Sequence, residues 1–132
     1  MAFDVKKILG GRENVPETLY LPAKGGESYA AGEALILSEG ALTLASGDLA
    51  VSYIALESYE APESGARALA VFRVLPGMVF EVPASATSSS VQIPGAFVTI
   101  GSDGLTVTAT AATKGGAEIL SADGDRLTVF LK

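Results

Sequence analysis

The chain has 132 residues, a formal net charge of −6, and a composition of 48% hydrophobic and 18% charged residues. These values indicate one globular domain, or two very small lobes sharing a core. They disfavour nucleic-acid binding, because the nine basic residues are scattered and phosphates repel an acidic surface. No apolar run approaches the roughly 20 residues that span a bilayer, so we expect a soluble protein made in the cytoplasm without a membrane partner.

The first 21 residues differ from the rest of the chain. Apolar residues alternate there with charges, and the run stops at Gly10-Gly11: Phe3, Val5, Ile8 and Leu9. This pattern fits one or two turns of amphipathic helix, a short strand or a mobile arm. Pro16 and Pro22 make a long helix improbable. We therefore predict an N-terminal arm over residues 1–21, followed by a β-rich domain over residues 22–132.

Glycine-bearing turns punctuate the remainder of the chain, and the runs between them are strand-like. Turn signals occur at Ser38-Glu39-Gly40, Pro76-Gly77 and Ser102-Asp103-Gly104, and again at residues 122–125. Residues 105–111 (LTVTATA) alternate with a strict period of two. Predicted strands cover residues 34–38, 42–44, 51–56, 68–75, 78–82, 96–100, 105–111, 117–120 and 127–131.

This spacing of short strands and turns predicts an all-β fold, a small β-barrel or sandwich with an extended N-terminal arm and little helix. The small polar residues after Ala84 could act as a linker, which would divide the domain into sub-lobes 22–83 and 91–132. Residues 96–131 loosely echo residues 34–82, without a strict repeat.

Histidine and cysteine are both absent. Their absence excludes Ser-His-Asp and Cys-His nucleophile systems, disulfides and ordinary zinc sites. We expect no enzyme activity, no catalytic residue and no cofactor. A small enzyme that uses carboxylates is the remaining catalytic alternative.

Several acidic side chains are candidates for chemistry, and each has a simpler explanation. Paired carboxylates can hydrolyse glycosides, but such sites need aromatic walls, and the chain has no Trp. Asp103, Asp123 and Asp125 resemble parts of a calcium loop, but the closing glutamate of such a loop is missing. Turn formation explains these aspartates, and we expect no metal site. The carboxylates that could supply such a catalytic pair are Glu57, Glu60, Glu63 and Glu81. The simpler interpretation is that they are solvated loop residues.

Two glycine-rich segments and four aromatic residues complete the candidates. Gly10-Gly11-Arg12 and Lys24-Gly25-Gly26 place glycine beside a base, but neither has the spacing of a phosphate-binding loop, so we interpret both as joints. We expect the four aromatic residues to pack in the core, and an aromatic face that binds a ligand is the alternative: Tyr53, Tyr59, Phe72 and Phe80.

The order of segments from Tyr29 to Val82 resembles the small β-rich capsid decoration (cement) proteins of tailed bacteriophages. A glycine-led strand is followed by a short hairpin and a strand ending near Ile54-Ala55. A loop of small and acidic residues then leads to a strand pair, and Leu75-Pro-Gly-Met-Val-Phe80 opens the next strand. The closing segments, Gly95 to Leu105 and Leu127 to Leu131, fit the same kind of protein.

This resemblance implies a structural protein that binds the outer surface of a phage head and stabilises the expanded shell. It implies the major capsid protein as partner, a homotrimer, no nucleic acid, and a location on the capsid surface of the virion. The N-terminal arm would then anchor the protein through Phe3, Val5, Ile8 and Leu9, by strand addition or apolar docking. Another viral tail or fibre part, or a carbohydrate-binding β module, is the alternative function.

Overall fold

The computed structural model describes residues 3–8, 17–45, 50–75, 78–84, 94–111, 116–123 and 126–131. The fold is all-β and sandwich-like, as predicted, with no closed barrel and no helix in these ranges. Accordingly, no helix in the described part of the chain is long and apolar enough to cross a membrane.

The strands up to residue 60 are short, and two of them fall within the predicted arm. In chain order they are β1 (Asp4–Ile8), β2 (Leu19–Pro22), β3 (Ser28–Tyr29), β4 (Ala34–Ser38), β5 (Ala41–Leu44), β6 (Tyr53–Ala55) and β7 (Tyr59–Glu60). The remaining strands are β8 (Ala68–Arg73), β9 (Met78–Pro83), β10 (Phe97–Ile100), β11 (Val107–Ala111), β12 (Ala117–Asp123) and β13 (Arg126–Leu131).

A five-stranded antiparallel sheet has the order β2-β8-β6-β4-β5. The sheet curls, because Ala23, just after β2, forms a parallel bridge to Leu42 in β5. One bridge brings the two edge strands together without closing a barrel. We call these five strands the N-terminal unit.

A six-stranded antiparallel sheet has the order β1-β9-β13-β12-β10-β11. Its last five strands, β9 to β13, form the C-terminal unit, and β1 adds to their edge by pairing with β9. This sheet also curls, since Ala84, just after β9, bridges to Val107 in β11.

Two apolar clusters hold the sheets together. Period-two alternation sends successive residues of β4 and β6 to opposite faces, so Ala34 and Ile54 join one cluster while Leu35 and Tyr53 join the other. The first cluster lies between the outer face of the N-terminal unit and the inner face of the C-terminal unit. The second fills the inner face of the N-terminal unit, beneath a two-stranded ribbon of β3 and β7.

The described turns follow the sequence signals, with one difference, and the predicted turn at Pro76-Gly77 lies outside the described residues. Glu39-Gly40 turns β4 into β5, and Gly40 takes the positive φ (84°) that glycine tolerates. The strand predicted from residue 105 begins only at Val107, because Asp103 Oδ1 accepts hydrogen bonds from Leu105 N at 2.9 Å and Thr106 Oγ1 at 3.1 Å. These bonds hold residues 103–106 in a turn. Half of the predicted turn at residues 122–125 lies outside the described residues.

Candidate protein-docking surface

Of the predicted arm residues, Val5 and Ile8 lie on β1 and Phe3 immediately precedes it. Phe3 is 2% exposed and packs its ring edge-to-face on Phe80, with centroids 6.3 Å apart, while its N–H donates to Gly32 O at 3.1 Å. Val5 is 36% exposed. The backbone of Ile8 pairs with Met78, and Leu9 lies outside the described residues. Phe3 therefore packs in the chain's own core, and capsid anchoring by these four residues stays a prediction.

An open groove of about 470 Å³ runs between β1 and the N-terminal unit. The outer face of the N-terminal unit covers the six-stranded sheet, and β1 widens that sheet beyond the covered part. The groove is the space left beside β1. One wall comes from β1 and the other from β6, β8 and the turn before β4: Phe3, Asp4, Val5 and Lys6 face Ala31, Gly32, Ile54, Ala55, Leu56 and Phe72.

Exposed apolar side chains follow this groove onto the neighbouring sheet. Val5 (36% exposed) and Leu56 (45%) line it, and Tyr20 on β2 is 69% exposed. Tyr20 pairs with Ala70, and Leu56 N donates to Ala70 O at 2.9 Å, so these three residues form one row across the sheet. Exposed apolar surface grouped in this way is typical of a protein–protein contact. We call the groove and this row the docking surface.

Charged side chains fasten β1 beside the docking surface. Glu81 Oε1 accepts from Arg126 Nη2 at 2.7 Å and Nε at 2.8 Å, and Lys6 Nζ lies 3.7 Å from Glu81 Oε2. The Arg126 hydrogen bond lowers the pKa of Glu81, and Lys6 adds to the effect. Arg126 Nη2 also lies 4.0 Å from Asp4 Oδ2. This cluster ties β1 to β9 and β13.

The other predicted carboxylates have distinct surroundings. Glu57 forms a bidentate pair with Arg67, at 2.9 Å for each bond, and accepts from Ala70 N, which lowers its pKa. Glu60 and Glu63 are exposed. Glu57 therefore organises the loop before β8 rather than facing a second carboxylate.

A buried carboxylate that the sequence did not reveal is Glu33, which is 7% exposed. Its Oε1 accepts from Ala30 N at 3.2 Å. Burial raises its pKa to about 7; the Ala30 hydrogen bond opposes this shift, and the carboxylates of Glu27 and Asp103 add to it. Among the described residues, no three acidic side chains come together in a way that could hold a metal ion.

The aromatic residues predicted as core or ligand face lie mainly in the core. Phe72 and Phe80 stack at 6.2 Å with an interplanar angle of 9°, and both are buried, as is Tyr53. Tyr59 is half-buried, with the Arg67 guanidinium 4.0 Å from its ring centroid. The core-packing interpretation of this group is confirmed for Phe72, Phe80 and Tyr53. The joint at Lys24-Gly25-Gly26 forms a turn, and Gly10-Gly11-Arg12 lies outside the described residues.

Comparison with solved structures found a likeness of fold. No protein-family model and no curated protein matches the chain. Its structure is similar to the head fiber gp8.5 N base in bacteriophage phi29, with a TM-score of 0.58 and 18% sequence identity over 88% of this chain and 95% of that chain. At this level of identity the two chains share a fold, and the likeness extends over nearly the whole of both.

Proposed function

We propose that this chain is a structural protein of a bacteriophage head, a decoration protein that binds the outer capsid surface and stabilises the expanded shell. The observation that carries the proposal is the fold likeness to a head fiber base, which spans 88% of the chain. The resemblance of residues 29–82 to cement proteins supports the same role independently of the fold. We infer that the chain is not an enzyme, that it assembles as trimers, and that the major capsid protein is its partner.

The docking surface is the face we assign to the shell. Val5 and Leu56 expose apolar area along the groove, Tyr20 exposes more in the same row of the sheet as Leu56, and the open groove can receive side chains from a partner. Each contact can be modest, because many identical copies on one shell bind neighbouring subunits and their contacts add through effective concentration.

Mass spectrometry of purified virus particles from the source organism tests the role. We expect the chain at a copy number near that of the major shell protein, and its loss when particles are stripped with mild denaturant. Absence of the chain from particles would refute the proposal.

The same measurement separates a second candidate, the base of a head fibre, which the fold likeness to the head fiber gp8.5 N base favours. A fibre base would be present in far fewer copies than the shell protein.

Rebinding to stripped particles then tests the face: Leu56→Asp should reduce occupancy at least tenfold, whereas Leu37→Asp, at a residue of similar exposure (43%) outside the groove, should not. Equal occupancy of the two variants would remove the docking surface from the proposal.

A further inference from the structure

The two units are copies of one design. Numbered by chain order within each unit, both sheets have the order first-fifth-fourth-second-third. In both, the residue after a proline at the end of the first strand bridges in parallel to the third strand: Ala23 to Leu42, and Ala84 to Val107.

The correspondence extends to single residues. Leu35 pairs with Tyr53 in the N-terminal unit as Val98 pairs with Ala117 in the C-terminal unit. Gly32 N donates to Ala55 O at 2.7 Å, and Gly95 N donates to Ile119 O at 2.7 Å. The ladders of the first and fifth strands match rung by rung: Leu19–Val71, Tyr20–Ala70, Leu21–Leu69 and Pro22–Ala68 correspond to Phe80–Val129, Glu81–Thr128, Val82–Leu127 and Pro83–Arg126.

The units differ at the outer edge of the first strand. In the C-terminal unit, β11 takes only the end of β9, and β1 fills the rest by pairing over Met78–Glu81. In the N-terminal unit, β5 likewise takes only the end of β2, and no described residue pairs with the outer edge of β2 over Leu19–Leu21. We call this open position the β2 seam.

The side chains of the two first strands differ in burial accordingly. Phe80 and Val82, which β1 helps to cover, are both 0% exposed. Their counterparts Leu19 and Leu21 are only half-buried, and Tyr20, which stands where Glu81 is held by β1 and β13, is 69% exposed. In the described part of the chain, the β2 seam thus has exposed apolar side chains and a strand edge without a neighbouring strand, which is the arrangement that binds an added strand.

We propose that the β2 seam binds an extended segment of another protein, with apolar residues alternating with basic ones as in β1. The basic character follows from charge: the chain carries −6, and the exposed Glu17 lies two residues before β2.

A second copy of this chain does not satisfy both seams. Each chain has two such edge positions, one beside β2 and one beside β9, but only one β1. Removing β1 from β9 would expose Phe3, which is only 2% exposed in the folded chain. Because β1 of a second copy is excluded, we assign the donor to a different protein. Its identity as a shell subunit rests on the proposed function, whereas the seam itself does not.

Disulfide capture tests the seam on the intact chain without phage particles. The chain has no cysteine, so single-cysteine variants are free of background. The probe is a synthetic peptide of residues 2–9 carrying Asp4→Cys, because Asp4 is the β1 partner of Glu81 and Glu81 corresponds to Tyr20. Cross-strand partners lie within the Cα separation that a disulfide spans.

We expect the peptide to couple to the Tyr20→Cys variant at least tenfold faster than to two controls. Glu81→Cys occupies the same rung in the unit whose seam β1 already fills, and Ala122→Cys is exposed on β12. Rates are normalised to each variant's reaction with a small maleimide. Equal rates for Tyr20→Cys and either control would overturn the proposal.

A second arm tests the donor on particles decorated with the Tyr20→Cys variant bearing a thiol-linked photocrosslinker. Crosslinking to the major shell protein is the expected result. Peptide capture by Tyr20→Cys, with no binding of the unmodified chain to particles, would refute the proposed function and leave the seam standing. Binding of the unmodified chain to particles, with equal peptide rates for Tyr20→Cys and its controls, would refute the seam and leave the proposed function standing.

Discussion

The N-terminal and C-terminal units share strand order and register, yet their inner faces are covered in different ways. The ribbon of β3 and β7 lies over the N-terminal unit, where the Tyr29 hydroxyl accepts from Lys24 N at 2.8 Å and donates to Leu42 O at 2.7 Å. The outer face of the N-terminal unit itself, with Ile54 and Phe72, fills the C-terminal unit. One strand design therefore accepts two different covers.

The difference teaches that a curled sheet of five short strands does not bury its own inner face. Each unit needs an added element, and the C-terminal unit receives two, the N-terminal unit and β1. Its first strand is consequently buried at Met78, Val79, Phe80 and Val82, whereas no residue of β2 is fully buried. Stability is expected to concentrate at the contacts between units, and binding at the place where the second added element is missing.

The strongest test of this comparison removes the anchor of β1. Phe3→Ala should lower the free energy of unfolding by about 3–5 kcal/mol, since it deletes a buried aromatic ring that packs on Phe80. Chemical denaturation measures the loss. Val5→Ala, on the same strand but 36% exposed, should lose less than about 1 kcal/mol. Similar losses for the two variants would show that β1 does not complete the C-terminal unit.

The turn after the second strand supplies a matched pair of glycines. Gly40 and Gly104 both have positive φ, at 84° and 70°, but a Cβ at Gly40 meets nothing within 4 Å. A Cβ at Gly104 would collide with Leu44 and approach Glu33 Cγ to 2.9 Å. Gly40→Ala should lose about 1 kcal/mol and Gly104→Ala about 3 kcal/mol, because only the second adds a clash to the backbone strain.

Thermal denaturation of both glycine variants gives the comparison. Equal shifts in Tm would mean that the loop before β11 does not press against the N-terminal unit.

The N-terminal unit contains a buried carboxylate at Glu33, whereas the corresponding position in the C-terminal unit is Ala96. The pH dependence of stability that Glu33 causes therefore belongs to the N-terminal unit. The pKa of Glu33 rises from 4.5 to about 7 on folding, so the folded state holds the proton more tightly than the unfolded state. Its contribution to stability is therefore full below pH 4.5, falls as pH rises to 7, and stays low above it. Glu33→Gln should stabilise the protein by about 2 kcal/mol at pH 8 and have little effect at pH 4.

Urea unfolding at the two pH values measures this effect. Glu39→Gln, at an exposed carboxylate, is the control and should leave the free energy of unfolding unchanged at both pH values. A Glu33→Gln gain that does not change with pH would contradict the assignment.

The smallest expected effect concerns the ion pairs that fasten β1. Arg126→Met removes the bonds to Glu81 and Asp4 and should lower Tm by about 1–2 °C at low salt, since these side chains are partly exposed. Arg67→Met removes a surface ion pair with Glu57 in the N-terminal unit, at positions that do not correspond to Arg126 and Glu81. Only Arg126→Met should speed hydrogen exchange in β1, because Arg67 lies outside the contacts of that strand.

Much of the fold could be predicted from local pattern. Alternation identified most of the strands, and glycine placed the turns at Gly40 and Gly104. Two members of the docking surface, Phe3 and Val5, were singled out because apolar residues among charges are unusual. Tyr20 and Leu56 were missed as site residues, since each follows or lies within an ordinary strand pattern. Their exposure depends on which strands lie beside them, and that is not a local property.

The sequence by itself determined the all-β class, the positions of most strands and the absence of histidine and cysteine chemistry, because periodicity, turn preference and residue type act over a few residues. Only the tertiary structure decided that Phe3 is buried, that Glu33 shares its surroundings with Glu27 and Asp103, and that the two halves repeat one register. The sequence showed only a loose echo between residues 34–82 and 96–131, because a β-ladder is specified by pairing between distant segments. Leu19 and Phe80 can therefore occupy the same rung with different side chains, and the presence or absence of a neighbouring strand decides which of them stays exposed.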